Sequence, residues 1–235
     1  TTRSIMEHIL VSVTILFATV SLVGAIIWLV RHFEKKRTEA LHAVATDIGL
    51  DFSPTKDDAL LAKMNAFSLF NKGSRRKMKN VMTTETDIAR ITIFDYQYTT
   101  GGGDNSRTYR HTVVSIESDA LSLPSFALRP EGVIQKVGAA LGMQDIDFEG
   151  HPEFSNSFVL TGDDEQSVRK FFDAELLESL AQQRKGICVE STPGLLIYHC
   201  GGRRKPEEVH ELMNEARTVH SVFASRLSRM SSTSF

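Results

Sequence analysis

Residues 9–30, ILVSVTILFATVSLVGAIIWLV, form a run of 22 residues without a charged side chain. A helix of about 20 residues crosses the hydrocarbon core of a bilayer, so this run predicts a transmembrane helix. A cleaved signal peptide is the competing interpretation, but its apolar region has about 7 to 15 residues and ends at a small-residue cleavage site. Here the run ends in RHFEKKR. The sequence therefore predicts an uncleaved membrane anchor over residues 1–33.

The charges that flank this run predict its orientation. The basic residues Arg31, Lys35, Lys36 and Arg37 follow it directly, whereas Arg3 alone precedes it. Lys and Arg are enriched on the cytoplasmic side of membrane spans. We therefore expect a single-pass protein with a cytoplasmic domain, and the four residues after the span are candidates for contact with the membrane surface.

The chain beyond the anchor is expected to be a helical stalk followed by one folded domain. No proline or glycine interrupts the sequence from residue 31 to Gly49, so the helix should continue as a juxtamembrane stalk over 34–48. An α+β domain is expected over 49–228, with a possible sub-boundary near 119–124 and a disordered tail at 229–235. The sheet should be mostly antiparallel, with helices packed on it.

Alternation and helical spacing predict the order of the elements in this domain. The first half is expected to contain a strand in LDFSP, a helix in DDALLAKMNAF, a hairpin around the glycines 101–103 and an extended segment in LPSFALRPEG. A helix ending near Gly142 should follow, and then extended segments in QDIDFEG and SNSFVLTG. The rest is expected to be one helix over DEQSVRKFFDAELLESLAQQ, a hairpin around Pro193 and a helix from about Pro206.

The glycines Gly101, Gly102 and Gly103 raise the question of a phosphate-binding loop. Such a loop lies between a strand and the N-terminus of a helix, and it usually carries a Lys-Ser or Lys-Thr pair. Here apolar residues alternate on both sides of the glycines, and TTGGGDNSRTYRHT has no such pair. The sequence therefore predicts a flexible hairpin loop and no bound cofactor.

Three segments, IFDYQYTTGGG, LPSFALRPEG and DIDFEGHPEFSNSFVLTGDDEQSVRKFF, resemble a group of uncharacterised bacterial proteins with one N-terminal membrane span and a soluble domain. The resemblance covers nearly the whole chain. It implies a bacterial origin, and so an inner-membrane location for a span with this orientation. Because the group has no established activity, the resemblance implies no site.

One acidic segment, DIDFEGHPEF, places Asp145, Asp147 and Glu149 at alternate positions, followed by His151. On a strand these side chains would project from one face, where they could bind a divalent cation or act in acid/base catalysis. The same pattern is typical of a half-buried strand with its polar side in water. No Cys or His elsewhere stands at ligand spacing, so we favour that second interpretation and predict no metal.

Nucleophilic catalysis has no recognisable motif in this sequence. There is no Gly-x-Ser-x-Gly elbow, and Cys188 lies in an apolar segment typical of a buried strand. His199 precedes Cys200, but neighbouring residues on a strand point to opposite faces and could not share a proton. We predict two reduced, inert thiols. A membrane-anchored, hydrolase-like enzyme with an acidic or histidine site is the alternative function.

Charge is balanced over the chain but concentrated locally. The chain has 27 basic and 29 acidic residues, which argues against a nucleic-acid partner. The run NKGSRRKMKN precedes a predicted strand and is strongly basic. It is either a solvated loop or a surface in which Arg75, Arg76 and Lys77 face anionic lipid headgroups.

Small residues follow one side of the predicted transmembrane helix. Thr14, Ala18, Ser21 and Ala25 fall within about 60° of one another at 100° per residue. Such a stripe permits close approach of a second helix, although a simple tether would not need it. We predict contact with another transmembrane helix, in a homo-oligomer or a larger complex. The preferred function is a non-catalytic structural or interaction protein that acts as an accessory subunit.

Overall fold

The computed structural model describes residues 2–55, 57–131 and 145–232, with only the backbone described for 2–7, 9–11 and 104. The chain forms two units, Thr1–Ala43 and Val44–Phe235. The helix predicted to end near Gly142 falls in 132–144, outside the described residues.

The first unit belongs to the long helix α1 (Thr2–Asp47). Within it, Ser12–Asp47 is long and apolar enough to cross a membrane, with a mean hydropathy of 2.5 in its most apolar window. The side chains of residues 12–30 are all exposed. Apolar surface of this extent is normally covered by lipid or by another protein. The helix continues through residue 33 without a break, as the absence of proline and glycine beyond the span predicted.

The second unit is built on one antiparallel sheet with the strand order β1-β2-β3-β4-β8-β7-β5-β6. This confirms the predicted α+β fold. Because β4 pairs with β8 and β7 pairs with β5, the sheet is continuous across the possible sub-boundary at 119–124. The strands are β1 (Asp51–Ser53), β2 (Ser74–Glu85), β3 (Arg90–Thr100), β4 (Arg107–Glu117), β5 (Phe126–Pro130), β6 (Phe158–Gly162), β7 (Cys188–Thr192) and β8 (Leu195–His199).

The two faces of this sheet are covered differently. The helix face contacts α6 (Val209–Ser232), whose Phe223 ring packs 5.5 Å from Phe126 and 6.0 Å from Phe171. The front face carries Phe94 and Tyr96, which pack with Phe70 from the connection between β1 and β2. The remaining helices are α2 (Asp58–Lys63), α3 (Pro152–Ser155), α4 (Glu165–Phe171) and α5 (Ala174–Ala181), with 3₁₀ turns at Met64–Ala66, Ser68–Asn71, Gly103–Asn105 and Pro206–Glu208.

Three segments differ from the sequence-based expectation. The single helix expected after residue 163 is two helices, because Asp173 caps the N-terminus of α5 by accepting from the Leu176 amide at 2.9 Å. The segment 145–148 is irregular rather than a strand, although the Ile146 amide donates to the Leu160 carbonyl. Residues 229–232, expected to be disordered, form the end of α6.

Candidate functional site

The glycine segment is the turn of a hairpin, as predicted. β3 and β4 pair from Arg90 opposite Glu117 to Thr100 opposite Arg107. Gly101 and Gly103 adopt positive φ values of 74° and 56°, which favour glycine. A strand follows this turn instead of a helix, so the converging amides of a phosphate loop are not formed.

A cavity of about 400 Å³ lies on the front face of β5, β6 and β7. Ala127 of β5 is directly paired with Glu190 of β7 and with Thr161 of β6, and all three line the cavity. The connection between β1 and β2 supplies the facing wall through residues 66–68, 71 and 72. A volume of this size lies within the range of small-molecule sites.

Glu190 is the centre of a buried polar cluster in this cavity. Its carboxylate accepts from the Ser68 amide at 2.7 Å and from the Ser68 hydroxyl at 2.9 Å. Arg129 donates to the Ser68 Oγ at 2.7 Å, and its Nη2 lies 3.7 Å from Glu190 Oε1. The Arg129 and Glu190 side chains are only 11% and 7% exposed. The cluster joins the 3₁₀ turn Ser68–Asn71 to the sheet.

Lys72 adds a second cation to the cavity. Its side chain is half-buried, and this burial, followed by the nearby Arg129 guanidinium, lowers the pKa of Lys72. A desolvated ammonium beside a guanidinium is stabilised by an adjacent anion. Within the described part of the chain, Glu190 is the buried carboxylate of this cavity, and it is already bound by Ser68 and Arg129.

Next to the cavity, the front face carries a row of stacked and edge-packed rings. Tyr98 stacks on His111 with ring centroids 5.8 Å apart, and His111 meets His199 edge-on at 5.4 Å. Burial, followed by the nearby Lys72, lowers the pKa of His111 to about 4. Burial, followed by His111, lowers the pKa of His199 to about 3. Both imidazoles are therefore neutral at pH 7, and neither ring nitrogen of His111 has a hydrogen-bond partner among the described residues.

The thiol beside this cavity, Cys188, lacks the properties of a nucleophile. Cys188 is opposite His199 in the β7–β8 pair and is buried. Burial, followed by the carboxylate of Glu190, raises the pKa of the Cys188 thiol to about 12. A reactive cysteine needs a lowered thiol pKa, so Cys188 has the properties of an inert, buried thiol. The other cysteine, Cys200, is also free.

His199 and Cys200 point to opposite faces of the sheet, as expected. The Cys200 Sγ lies 3.4 Å from the Tyr198 hydroxyl and 3.7 Å from Glu215 of α6, on the helix face. His199 contacts His111 on the front face. The pair therefore cannot share a proton.

The acidic segment lies outside this cavity. Asp145, Asp147 and Glu149 are exposed, whereas the intervening Ile146 is buried. Partial burial, followed by the charge of Asp147, raises the pKa of Asp145. His151 precedes α3 and its carbonyl accepts from the Phe154 amide. Among the residues that the structure describes, no three Cys, His, Asp or Glu side chains form a metal-ligand group.

From Ser74 onward the basic run lies within β2 rather than in a loop before it, whereas Lys72 precedes the strand, and the side chains of the run separate. Arg76 donates to the Phe70 carbonyl at 2.6 Å on the front face. Lys77 and Lys79 instead border a small recess with Arg110 and Arg203 on the helix face. The run therefore does not present one continuous surface.

Neither Arg129 nor Glu190 was predicted as a site residue from the sequence. Glu190 is a lone acid in the apolar segment ICVEST, and Arg129 precedes Pro130 in LPSFALRPEG. A charged residue inside an apolar strand is rarely buried without a partner. The positions of Glu190 and Arg129 in their segments could therefore have indicated that each has a buried partner. Their pairing depends on β5 lying beside β7, which the sequence does not reveal.

These features define a class: α+β proteins with one antiparallel eight-stranded sheet, preceded by a helix long and apolar enough to span a membrane. A solved structure shares this fold, the crystal structure of the mycobacterial trehalose monomycolate transport factor A, TtfA. The two match with a TM-score of 0.59 at 11% identity, over 79% of this chain and 93% of that chain. At this identity the likeness concerns the fold. No family model matches the chain, and no curated protein matches it in sequence.

Proposed function

We propose that this chain is a membrane-anchored, non-catalytic accessory protein of a bacterial inner membrane. The observation that carries the proposal is the combination of an exposed, membrane-length apolar helix with an α+β domain that has the fold of a transport factor. The neutral buried imidazoles and the protonated thiol of Cys188 further support a binding role over nucleophilic catalysis.

The anchor is proposed to place the domain in the cytoplasm. The support is the cluster of Arg31, Lys35, Lys36 and Arg37 directly after the span. A fluorescent protein fused after Ser232 should then fold and fluoresce, whereas alkaline phosphatase fused at the same position should be inactive. Active phosphatase with a dark fluorescent protein would reverse the orientation.

The partner is proposed to be another transmembrane helix, in a larger membrane complex or in a second copy of this chain. Support comes from the stripe of small residues on α1, formed by Thr14, Ala18, Ser21 and Ala25. Close backbone approach is the main source of helix association in lipid, where the hydrophobic effect between helices is weak. The basic residues Arg75, Arg76 and Lys77 remain candidates for contact with the membrane surface. Arg76 and Lys77 lie on different faces of the sheet, so they would make such contacts separately.

Copurification from native membranes tests this function. The full chain, tagged at its C-terminus, is isolated in mild detergent beside a variant in which residues 1–33 are replaced by an unrelated single span. We expect defined membrane proteins, or a second copy of the chain, to be retained by the parent and lost from the variant. Recovery of the parent chain as a monomer without companions would contradict the proposal.

A further inference from the structure

We propose that the cavity on β5, β6 and β7 binds an anionic amphiphile, a single acidic head group on an apolar chain, with the head group paired to Lys72. This site goes beyond the accessory role and rests on the cavity alone. Its ligand chemistry follows from three observations: the charge of the buried groups, the lining of the cavity and the position of Lys72.

The charge balance favours an anion. Arg129 and Lys72 both contribute to the cavity, but the carboxylate of Glu190 is bound by Arg129 and by both donors of Ser68. No hydrogen bond or ion pair within 4.0 Å is present for the Lys72 ammonium in the described part of the chain. Asp163 also lines the cavity, but its side chain is exposed. A ligand anion would therefore give the Lys72 ammonium the direct ionic contact that it does not make with the described residues of the protein.

The lining favours an apolar chain behind that anion. Phe67 and Ala127 are buried, and they line the cavity together with Ala66, Phe126 and Gly162. A small inorganic anion would pair with Lys72 but would leave this apolar surface wet. An uncharged apolar ligand would cover the surface but would leave Lys72 without an anion. An amphiphile satisfies both requirements.

Lys72 lies where such a head group can reach both the cavity and the solvent. It follows the 3₁₀ turn Ser68–Asn71, which the Ser68–Glu190 hydrogen bonds fix to the sheet. The same hydrogen bonds therefore hold in place both the facing wall of the cavity and the backbone next to Lys72. Burial and the neighbouring Arg129 lower the pKa of Lys72 even though the Glu190 carboxylate acts to raise it, which agrees with an ammonium that has lost water without a directly bound anion.

The test uses the full chain in phosphatidylcholine nanodiscs and dodecanoic acid that carries a diazirine on its chain. After illumination, labelled peptides are mapped by mass spectrometry, and labelling of α1 by probe in the lipid serves as the internal reference. We expect labelling within residues 66–72, 125–129 or 161–163. Unlabelled dodecanoate should compete for it, and dodecyltrimethylammonium should not. Equal competition by dodecyl phosphate would support the proposal and show that the site recognises the negative charge of the head group rather than the carboxyl group itself.

Two variants separate the site from non-specific labelling. Lys72→Met should reduce labelling of the cavity peptides about tenfold, the factor that corresponds to one hydrogen-bonded ionic contact. Lys185→Met, at an exposed lysine outside the cavity, should label like the parent. Ala66→Trp fills the cavity from an exposed position and should also reduce labelling while Lys72 is intact.

Three results would overturn the proposal: no labelling of the cavity peptides above the α1 reference, equal labelling in Lys72→Met and the parent, or equal competition by the cationic amphiphile. Each variant is first shown to have the melting temperature of the parent chain. If Lys72→Met is unstable, the proposal is tested by Ala66→Trp, in which unchanged labelling of the cavity peptides would overturn it. None of these results affects the copurification experiment, so failure of this site leaves the accessory role standing.

Discussion

At the residue scale, Glu190 joins the 3₁₀ turn Ser68–Asn71 to the front face of the sheet. Changing Glu190→Gln leaves the Arg129 guanidinium buried without its counter-charge and weakens both bonds to Ser68. Breaking a buried ion pair costs about 3 kcal/mol or more, which corresponds to a fall of about 6–12 °C in melting temperature for a domain of this size. Near-ultraviolet circular dichroism of the full chain in detergent measures this, because all four tyrosines lie in the sheet.

The matched control is Glu165→Gln. Glu165 also pairs with an arginine, Arg169, but the two side chains are 53% and 43% exposed. An exposed pair of this kind contributes about 0–1 kcal/mol, so the melting temperature should change by no more than a few degrees. Equal losses in the two variants would show that burial does not set the strength of the Glu190 cluster.

The buried histidines predict a loss of stability in mild acid. The unfolded chain binds a proton at each histidine near pH 6.5, whereas the folded pKa values of His111 and His199 are about 4 and about 3. The contribution of each histidine to the free energy of unfolding is therefore fully present above pH 6.5. As the pH falls from 6.5 toward the folded pKa, each histidine lowers the free energy of unfolding by about 1.4 kcal/mol per pH unit. The melting temperature should drop between pH 7 and pH 5.

Replacing one histidine tests this assignment. His111→Phe keeps a ring beside Tyr98 and should reduce the pH dependence by less than half, since His199 and His220, whose pKa values are also lowered by burial, still titrate. His210→Gln, at an exposed position of α6, should keep the parent slope. An unchanged slope in His111→Phe would show that carboxylates dominate the acid response.

At the element scale, Arg226 of α6 contacts the junction between α4 and α5 at three points. Arg226 donates to the carbonyls of Phe171 and Lys170, each at 2.8 Å, and its Nη1 lies 3.0 Å from Asp173. Arg226→Met removes these contacts at the end of α4 and should cost about 2 kcal/mol, or about 4–8 °C. Arg217→Met, an exposed position on the same helix, should melt like the parent. Indistinguishable melting of the two variants would contradict the capping role.

The β3–β4 hairpin gives a second matched pair. Gly101 has a positive φ, and a Cβ at this position would overlap the Asn105 carbonyl oxygen. Gly102 has an extended backbone with open space around it. Gly101→Ala should therefore cost about 1–2 kcal/mol, whereas Gly102→Ala should be nearly neutral. Hydrogen exchange of the hairpin amides measures the difference, and equal protection in both variants would exclude the strained turn.

Element type was predictable where a single periodicity was strong. Tyr96 and Tyr98 alternate with polar residues and lie in a strand. The helix expected from about Pro206 is α6, and its buried residues recur at helical spacing: Val209, Leu212, Met213, Ala216, Val219 and Phe223. The break at Asp173 was not predicted because Phe171 and Phe172 fit the apolar spacing of one longer helix. The hydrogen bond by which Asp173 caps α5 is visible only in the folded chain. The basic start of β2 was placed before the strand because charge obscured its alternation.

At the scale of the whole molecule, strand order was beyond the sequence. β4 pairs with β8, and β5 lies between β6 and β7, so the cavity forms from segments separated by more than a hundred residues. Such non-local pairing leaves no periodic signal in a single sequence. The membrane anchor, in contrast, needs only length and composition, which is why residues 9–30 were the strongest signal.

The central claim, that the chain acts through lateral contact of α1 in a membrane, is tested most directly by crosslinking in native membranes. Ala18→Leu with Ala25→Leu interrupts the small-residue stripe with bulky side chains and should reduce crosslinking of the chain to its partner at least severalfold, because the backbones can no longer approach closely. Val23→Leu, outside the stripe, should crosslink like the parent. Equal crosslinking in parent, double variant and control would contradict the claim and leave α1 as a simple tether.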